Sequence, residues 1–478
     1  MQIKNTLRLY NTLTREIEDF VPGNDRKVGV YACGPTVYDY THIGHIRKYV
    51  FDDVLVRLLR YLAYDVTHVM NITDVGHLVS DADTGEDKLE KGARREGKTA
   101  WDVAKFYEDY FFKTMDQVLV SRPDVICRAT EYIPEQISLI QKLEALGFTY
   151  TISDGVYFDS TKFANYGKLA GFIPEKQLAG ARVEQVAGKK HATDFALWKL
   201  TSAGIKRDME WESPWGKGFP GWHIECSAMS MKFLGDTIDI HTGGIDHIPI
   251  HHTNEIAQSE AATGKQFVKY WIHHNFLLVN GTKMSKSLDN YYTLEDIVKR
   301  SFMPVALRYL FLQTHYRQES NFTWEALDAA QTAYRELKSQ VAVIKTQVEK
   351  GERQSLSEEK LVKVNNLRKE FKDVIRMDLN TPQTLACVWQ ILKSNVPVID
   401  KYELLMICDE ILGLGLLEVA SASSYIEPIP GEIEKLLRLR SQLRSEKKFN
   451  EADRVRKDIE NKGYTVIDEP ESSSVKKN

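Results

Sequence analysis

The stretch KVGVYACGP at residues 27–35 is a short apolar, β-prone run that a glycine and a proline stop abruptly. A second apolar run lies at residues 66–71. Between them, from Ile46 onward, apolar residues recur at helical spacing and leave the charged residues of 47–57 largely for the outer face. This strand, helix, strand pattern predicts an α/β fold with a doubly wound, Rossmann-like parallel sheet, whose ligands bind at the carboxyl ends of the strands.

A second α/β portion begins near residue 237, where a buried strand is expected to end in Thr242-Gly243-Gly244 before a helix at 251–262. Residues 121–221 hold short strand candidates and turns, which indicates an inserted subdomain. Asn280-Gly281 predicts a hairpin turn, and residues 325–417 are mostly helical and predict a bundle. A Ser/Pro-rich linker at 421–431, a basic helix and a strand at 464–467 indicate a small C-terminal domain.

Composition sets limits on the kind of protein this is. The chain has 478 residues, more than one compact core usually holds, so several domains are expected. It has no apolar stretch near the roughly 20 residues of a membrane span and no apolar leader, so we expect a cytoplasmic protein without a membrane partner. Its net charge of −4 means that local basic patches would have to hold any RNA.

Two short strings are candidates for a nucleotide site. HIGH at residues 42–45 lies between the first strand and its helix, where free backbone N–H groups and two imidazoles could face phosphates. Histidines at a helix start are more often caps or surface residues, however. KMSKS at 283–287 could place two lysines against a departing pyrophosphate, or could be a solvated loop. Their order, with GGID at 243–246 between them at a strand end, favours the nucleotide site.

A third group of residues could bind a metal. Cys33 ends the first strand, Cys226 lies in the string WHIEC, and His251 and Glu255 are four residues apart on one helical face. Two thiolates, an imidazole and a carboxylate form a credible tetrahedral zinc set. Spacing alone does not decide this, because the five cysteines are scattered and buried free cysteine is common. Their odd number and scatter argue against a disulfide framework.

Together these strings resemble those of the cysteinyl-tRNA synthetases, which are class I aminoacyl-tRNA synthetases. The likeness covers nearly the whole chain and keeps the family's order: YACGPTVYD at 31–39, HIGH at 42–45, NITD at 71–74, GWHIECSAM at 221–229, HHTNE at 251–255 and KMSKS at 283–287. Two departures stand out. Thr253 occupies a position that is often acidic in the family, and residues 468–478 lack the usual chain end, which leaves the details of anticodon reading open.

The resemblance implies one zinc ion per chain, bound by Cys33, Cys226, His251 and Glu255, and an amino-acid pocket lined by Thr73 and Trp222. It implies ATP, with Mg²⁺, bound by His42, Gly44, His45, Gly243, Gly244, Asp246, Lys283, Ser285 and Lys286. The expected catalytic residues are His42, His45, Lys283 and Lys286. L-cysteine would be adenylated and then joined to tRNA(Cys), and zinc would select its thiol over the hydroxyl of serine without a separate editing domain. A monomer is expected.

Six segments follow from the elements and the resemblance together. They are the first half of the nucleotide-binding catalytic domain (1–120), an inserted connective subdomain (121–220), the second half of the catalytic domain (221–275), the KMSKS loop and stem-contact region (276–324), a helical tRNA-binding bundle (325–420), and a linker with a small anticodon-binding domain (421–478).

The end of the chain and the rival functions stay open at this point. Residues 431–462 carry ten Lys/Arg against seven Asp/Glu, which is compatible with a solvated amphipathic helix. The string FNEADRVR at 449–456 resembles the family's anticodon-binding end and favours RNA. A related ligase that joins cysteine to an amino sugar would lack this C-terminus. A non-catalytic, RNA-binding paralogue would commonly lose motif residues that are intact here.

Overall fold

The computed structural model describes residues 6–76, 88–171, 188–202, 204, 207–285, 288–351, 356–416, 431–445, 448–468 and 473–477. In chain order its strands are β1 (Arg8–Asn11), β2 (Glu16–Asp19), β3 (Lys27–Ala32), β4 (Asp65–Ile72), β5 (Val125–Arg128), β6 (Thr149–Ile152), β7 (Gly155–Phe158), β8 (Phe195–Leu200), β9 (Gly218–Pro220), β10 (Ile238–Gly244), β11 (Val268–His274), β12 (Leu277–Val279), β13 (Thr282–Lys283), β14 (Ser320–Phe322), β15 (Tyr464–Asp468) and β16 (Ser473–Lys477).

In chain order the helices are α1 (Ile43–Tyr61), α2 (Lys88–Glu96), α3 (Ala100–Gln117), α4 (Ile133–Ala145), α5 (Trp222–Leu234), α6 (His251–Thr263), α7 (Leu294–Lys299), α8 (Pro304–Leu312), α9 (Trp324–Lys350), α10 (Glu358–Arg376), α11 (Thr381–Lys393), α12 (Val398–Leu412), α13 (Gly431–Ser445) and α14 (Phe449–Asn461). Within the described ranges, no helix is both long and apolar enough to cross a membrane.

The central sheet is parallel, with the strand order β11-β10-β3-β4-β5. From β3 the chain adds β4 and β5 on one side, whereas β10 and β11 are added on the other. The strand order therefore reverses between β3 and β10, where Ala32 pairs with Thr242. Such a reversal opens a crevice at the carboxyl ends of the strands, which is where doubly wound folds bind ligands. The predicted fold class is confirmed.

Helix α1, which follows β3, differs from its prediction on one face. Arg47, Asp52 and Asp53 were expected on the outer face, yet each is at most 3% exposed. The reason is that distant parts of the chain cover this face. Helices α8 and α12 pack against α1, Arg47 donates to the carbonyl of Asn275, and Asp52 lies 2.9 Å from the His274 Nε2 atom. The buried Arg308 guanidinium lies 2.6 Å from an Asp53 carboxylate oxygen, which compensates the charge that burial would otherwise leave unpaired.

The inserted subdomain is an antiparallel sheet of β6, β7, β8 and β9 with α4 packed against it. Its apolar core also contains residues of α5 and α6, including Ile224 and Ala257. Because α5 and α6 carry Cys226 and His251, the insert supports the backs of the two helices that carry these candidate ligands. The other side of those helices faces the end of the central sheet.

The remaining predicted elements are present. Strands β12 and β13 form a hairpin, and its turn residues Asn280 and Gly281 have φ of 50° and 74°, the positive values that a two-residue turn of type I′ requires. Helices α9 to α12 form the bundle. Helices α13 and α14 pack with β15 around a small separate core. Most of the predicted linker at 421–431 lies outside the described residues.

Candidate active site

A cleft of about 570 Å³ opens where β3 and β10 end, a size within the usual range for small-molecule sites. Most of the predicted site residues line it: Cys33, His42, Gly44, His45, Thr73, Trp222, Cys226, Gly244, Asp246, His251, Lys283 and Ser285. Glu255 and Gly243 lie behind this lining. Lys286 is outside the described residues. Five separate parts of the chain thus meet at one crevice.

The start of α1 shows how the HIGH string is used. His42 is the N-cap, and its Nδ1 accepts from the backbone N–H of Gly44 at 3.1 Å and of His45 at 3.3 Å. The N–H of Ile43 donates to the carbonyl of Tyr292. The expectation that free N–H groups of this turn face phosphates is therefore wrong for these three positions. The first of the two histidines is a cap, as the alternative interpretation had it.

Capping also fixes the chemistry that His42 can offer. Because Nδ1 accepts two N–H groups, the proton of the neutral ring resides on Nε2, which is its remaining donor. The ring stacks on His45 with centroids 3.6 Å apart. Gly44 permits this arrangement, since a Cβ there would lie 3.0 Å from the His42 ring. Phosphate contact at this end thus depends on imidazole side chains rather than on the amides.

The lysine-rich loop is organised by a residue that the sequence analysis missed. Asn290, 8% exposed, accepts from the N–H of Ser285 and donates to the carbonyl of Lys283 and to the hydroxyl of Thr282. The Lys283 ammonium lies 5.7 Å from the centroid of the Phe276 ring at the cleft wall. Asparagine in a loop commonly bonds nearby backbone, which was the one available signal.

Gly243, Gly244 and Asp246 form the third part of the predicted nucleotide site. The two glycines are the last residues of β10. A Cβ on Gly243 would lie 2.4 Å from the His252 ring, so glycine allows the strand to pass close to that side chain. The side chain of Asp246 is 59% exposed, which leaves its carboxylate open to hydroxyl donors from a ligand.

Four predicted ligands converge at the closed end of the cleft. Cys33 follows β3, Cys226 is on α5, and His251 and Glu255 are on α6, one turn apart. Their donor atoms all lie within 4.8 Å of one another, and the four residues are 0–4% exposed. The His251 Nε2 and Glu255 Oε1 atoms are 3.1 Å apart. Elements that are distant in sequence therefore build one compact set of sulfur, nitrogen and oxygen donors.

The chemistry of this set fits a metal ion. Glu255 Oε1 is buried, and its neighbour His251 Nε2 does not meet it in hydrogen-bond geometry, which is unfavourable unless a cation or proton occupies the site. Burial raises the pKa of Cys33, but a hydrogen bond with Cys226 and the charge of His241 lower it well below the ordinary value. Burial lowers the pKa of His251, yet Glu255 and Cys33 raise it to about 10. Metal binding would displace these shared protons.

A second donor set shares two of the same residues. Cys33, His241, His252 and Glu255 also bring their donor atoms within 4.8 Å. His241 and His252 are fully buried and do not line the cleft, whereas Cys33, Cys226 and His251 do. A metal that must meet a substrate needs an open coordination position. The geometry therefore favours the set with Cys226 and His251 for a catalytic ion.

Several histidines surround the ligand set, and the sequence analysis did not single them out. His223 Nδ1 lies 2.9 Å from His251 Nδ1, and His241 Nε2 lies 2.9 Å from Glu255 Oε2. His247 also lines the cleft, with its ring centroid 5.2 Å from that of His251. Groups of this kind orient ligands and fix their tautomers. The concentration of histidines in residues 241–252 was the feature of the sequence that could have indicated them.

The predicted amino-acid pocket is held by another residue without an assigned role. Asn71 at the end of β4 accepts from the N–H of Gly34 and donates to the Thr73 hydroxyl. A Cβ on Gly34 would lie 1.6 Å from the Asn71 carbonyl oxygen, so only glycine fits there. The Trp222 ring lies 4.5 Å from the His251 ring, centroid to centroid. Thr73 and Trp222 thus border the metal set on the cleft side.

Comparison with known proteins points in one direction. Residues 19–332 match the family of class I (C) tRNA synthetase catalytic domains. The cysteine–tRNA ligase of Treponema denticola is 43% identical over 99% of this chain and 100% of its own length. Cysteine–tRNA ligase 1 of Burkholderia lata is 45% identical over 97% and 96%, respectively.

Solved structures agree at the level of the fold. The Mycobacterium tuberculosis methionyl-tRNA synthetase superposes with a TM-score of 0.56 at 15% identity and covers 82% of this chain and 91% of its own. The Agrobacterium radiobacter LeuRS–tRNA–LeuAMS complex gives a TM-score of 0.60 at 12% identity, with 86% of each chain covered. With its sheet, its cleft and its near full-length relatives, the chain belongs to the cysteine–tRNA ligase family of class I tRNA synthetases.

Proposed function

We propose that this protein activates L-cysteine with ATP and transfers it to the 3′ end of tRNA(Cys). The observation that carries the proposal is the placement of two kinds of site in one cleft. A buried set of thiol, imidazole and carboxylate donors closes one end, and the two signature strings of a class I synthetase border the other. Full-length relatives named cysteine–tRNA ligase support the same reaction.

In the first step the carboxylate of cysteine attacks the α-phosphate of ATP. A bond from the carboxylate oxygen to phosphorus forms, the bond to the β-phosphate bridging oxygen breaks, and pyrophosphate leaves. His42 and His45 donate to phosphate oxygens, while Lys283 and Lys286 offset the charge that grows on the leaving group. No nucleophilic side chain is needed, because positioning and electrostatic stabilisation supply most of the barrier reduction.

In the second step a hydroxyl of the terminal ribose of tRNA attacks the carbonyl carbon of the adenylate. The ester forms, AMP leaves with the electrons of the broken carbonyl C–O bond, and the hydroxyl proton passes to a phosphate oxygen of the departing AMP. ATP, with Mg²⁺, would lie against Gly44, Gly243 and Gly244, and Asp246, Ser285 and the four catalytic side chains would bind it. The Asp246 carboxylate, which is 59% exposed, would accept from ribose hydroxyls.

Selection of cysteine takes place at the closed end of the cleft. Cys33, Cys226, His251 and Glu255 would hold zinc, which when bound supplies a Lewis acid that engages a thiolate far better than a hydroxyl. Trp222 and Thr73 border this site and would orient the amino group and side chain. A site built to engage one group can reject an analogue without it by about 10⁴-fold or more, so serine is excluded at binding.

We assign the six segments predicted from the sequence to this reaction in the same terms. The two catalytic halves (1–120 and 221–275) enclose the cleft, and 121–220 is the connective insert, apart from β5, which lies in the central sheet. Residues 276–324 hold the KMSKS loop and meet the acceptor stem, 325–420 bind the body of tRNA, and 421–478 read the anticodon end. The enzyme acts as a monomer.

The test is cysteine-dependent exchange of pyrophosphate into ATP with zinc-replete protein, first without tRNA and in comparison with serine. Transfer to total tRNA follows in the same preparation. Exchange with cysteine alone and formation of cysteinyl-tRNA are expected. Exchange without transfer would instead indicate a ligase for a small acceptor such as an amino sugar, and absence of exchange from folded, metal-loaded protein would indicate a binding paralogue.

A further inference from the structure

An exposed group of aromatic rings lies at the mouth of the cleft, outside the residues assigned above. Tyr40, from the loop before α1, is 39% exposed, and Phe106, on α3, is 44% exposed. Both exposures are high for rings of this size, and the ring centroids are 6.2 Å apart. Tyr40 also lines the cleft itself. The rings therefore continue the cleft wall out onto the surface.

The position of these rings is fixed by edge-to-face packing. Tyr40 meets Tyr107 at 5.1 Å and Tyr110 at 4.8 Å, with interplanar angles of 87° and 78°. Phe106 meets Tyr107 at 5.1 Å and 79°. Tyr107 itself is buried. A buried ring with two exposed rings standing against it is a rigid arrangement that would lose little conformational freedom when a ligand stacks on it.

The group is also tied to the nucleotide end of the cleft. The Tyr291 hydroxyl donates to the carbonyl of Tyr40 at 2.6 Å, and the Tyr291 ring lies 5.0 Å from that of His42. On the outer side, the Lys98 ammonium is 5.3 Å from the centroid of the Phe106 ring. The aromatic rings thus form a surface between His42, the N-cap of α1, and the Lys98 ammonium group.

We propose that Tyr40 and Phe106 form a stacking platform for the unpaired bases at the 3′ end of the tRNA substrate. This inference rests on the proposed function, because the terminal ribose must reach the α-phosphate position beside His42. Single-stranded nucleic acids are commonly bound by aromatic rings on which bases stack, with cations along the backbone. Tyr40 lines the cleft near His42, and Phe106 continues the surface outward beside Lys98. The rings could therefore stack the unpaired bases while the terminal ribose reaches the reaction site.

Stacking, rather than charge, is the expected source of affinity here. The exposed charged side chains along residues 98–116 are Lys98, Lys105 and Lys113 against Asp102, Asp109 and Asp116, and Lys105 is paired with Asp109 at 2.5 Å. Their formal charges cancel. The platform should therefore contribute little to the salt dependence of tRNA binding, which follows the number of phosphate contacts.

The test uses the full-length, zinc-replete enzyme and the variants F106A and F106Y, with L146A as a control for loss of an apolar side chain of similar exposure, 53%. The tRNA-free exchange reaction calibrates the amount of active enzyme in each preparation. We expect F106A to raise the KM for tRNA by roughly ten-fold, with an unaltered slope of log KM against log salt. F106Y should restore the KM, and L146A should match the parent.

A second measurement locates the contact on the RNA. Competition by tRNA from which the unpaired 3′ nucleotides have been removed should be equally strong against the parent and F106A, because the stacked bases are gone. Equal weakening of intact and truncated tRNA would overturn the proposal, as would an unchanged KM for intact tRNA. If F106A does not fold, F106L keeps the apolar contact with Tyr107 and takes its place. Failure of exchange in the parent enzyme would reject the proposed function instead.

Discussion

The two ends of the cleft are built in opposite ways. At the closed end, four donor residues are 0–4% exposed and lie on a strand end and two helices that the insert supports from behind. At the open end, Lys283 ends the two-residue strand β13 and is exposed, and Ser285 lies in the loop that follows. His45, beside them, is also exposed.

This difference separates recognition from catalysis. A metal site that discriminates a thiol from a hydroxyl needs fixed donors and a dry surrounding, which buried elements with outer hydrogen bonds supply. Charge that develops during the departure of pyrophosphate needs cations that reach the leaving group, and a loop can carry these. We therefore expect changes at the closed end to alter metal content and selectivity, and changes at the open end to alter rate alone.

The largest effect is expected for C226S. Serine nearly preserves the shape of the side chain but is a poor ligand for a soft metal. The variant should lose bound zinc and lose cysteine-dependent exchange by roughly 10³-fold, since a catalytic metal contributes several kcal/mol. Metal analysis of the purified protein and the exchange assay measure the two effects.

C127S is the matched control for that change. Cys127 is as buried as Cys226 but belongs to neither donor set, and its thiol donates to the carbonyl of Met70. Burial raises the pKa of Cys127 to about 12, so it stays a thiol. C127S should keep its zinc. Equal zinc loss in both variants would mean that buried thiols in general, and not this set, hold the metal.

K283A tests the open end. Removal of one group that stabilises transition-state charge should slow exchange by about 10²- to 10³-fold, with zinc content and cysteine binding unchanged. The same result is expected for K286A. Rapid kinetics of adenylate formation and calorimetric binding of cysteine separate the two quantities. K265A, which removes an exposed lysine paired with Asp236, is the control. A K283A enzyme that exchanges at the parent rate would remove Lys283 from the mechanism.

Features of this protein that depend on residues close together in the sequence could be predicted, whereas contacts between residues far apart in the sequence could not. The apolar runs around residues 27–33 and 66–71 and the helical spacing between them predict the sheet and its ligand-binding edge, because each pattern is local. The prediction for Arg47, Asp52 and Asp53 was wrong because the groups that cover them are far away in the sequence. Arg47 bonds Asn275 across 228 residues, Asp52 bonds His274 across 222, and Asp53 bonds Arg308 across 255. The spacing of apolar residues shows which side chains are polar. It does not show whether a distant part of the chain covers them.

The same reasoning explains what was missed within the site. His241 bonds Glu255 across 14 residues, and His273 bonds Thr12 across 261. Neither spacing corresponds to a helical or strand repeat, so the outer histidines carry no local signature. His42 is the opposite case, because its signal is local. Its position at a helix start is compatible with a cap or with a phosphate ligand, and the hydrogen bond from the Gly44 N–H to Nδ1 shows that it is a cap.

The variant H241A tests whether the residues that orient the metal ligands at the closed end affect metal affinity. His241 contacts Glu255 but is not in the favoured ligand set, and loss of such a partner typically weakens metal affinity by about 10- to 100-fold. Competition with a chelator measures this, with H68A as the control. His68 is also buried and belongs to neither donor set. Equal metal affinities in the two variants would contradict an orienting role for His241.

The smallest effect on activity is expected for D74N, which tests the wall behind the substrate. Thr73 borders the cleft, whereas the next residue, Asp74, accepts from the N–H and hydroxyl of Thr130 behind it. Burial raises the pKa of this carboxyl to about 6 from 3.8. The proton is thus held more tightly in the folded state, and the stability it contributes is present below pH 3.8 and lost as pH rises through 6.

Asparagine keeps the hydrogen-bonding shape without the charge, so D74N should be more stable than the parent at pH 7.5. The gain is at most about 3 kcal/mol, because one pKa unit corresponds to about 1.4 kcal/mol. It should shrink toward pH 4, where the parent carboxyl is itself neutral. Denaturant unfolding at pH 4.5, 6 and 7.5 measures the difference, and exchange should stay within a few-fold of the parent. A stability difference that does not vary with pH would mean that Asp74 remains ionised throughout, and that the closed end tolerates a buried charge beside the substrate pocket.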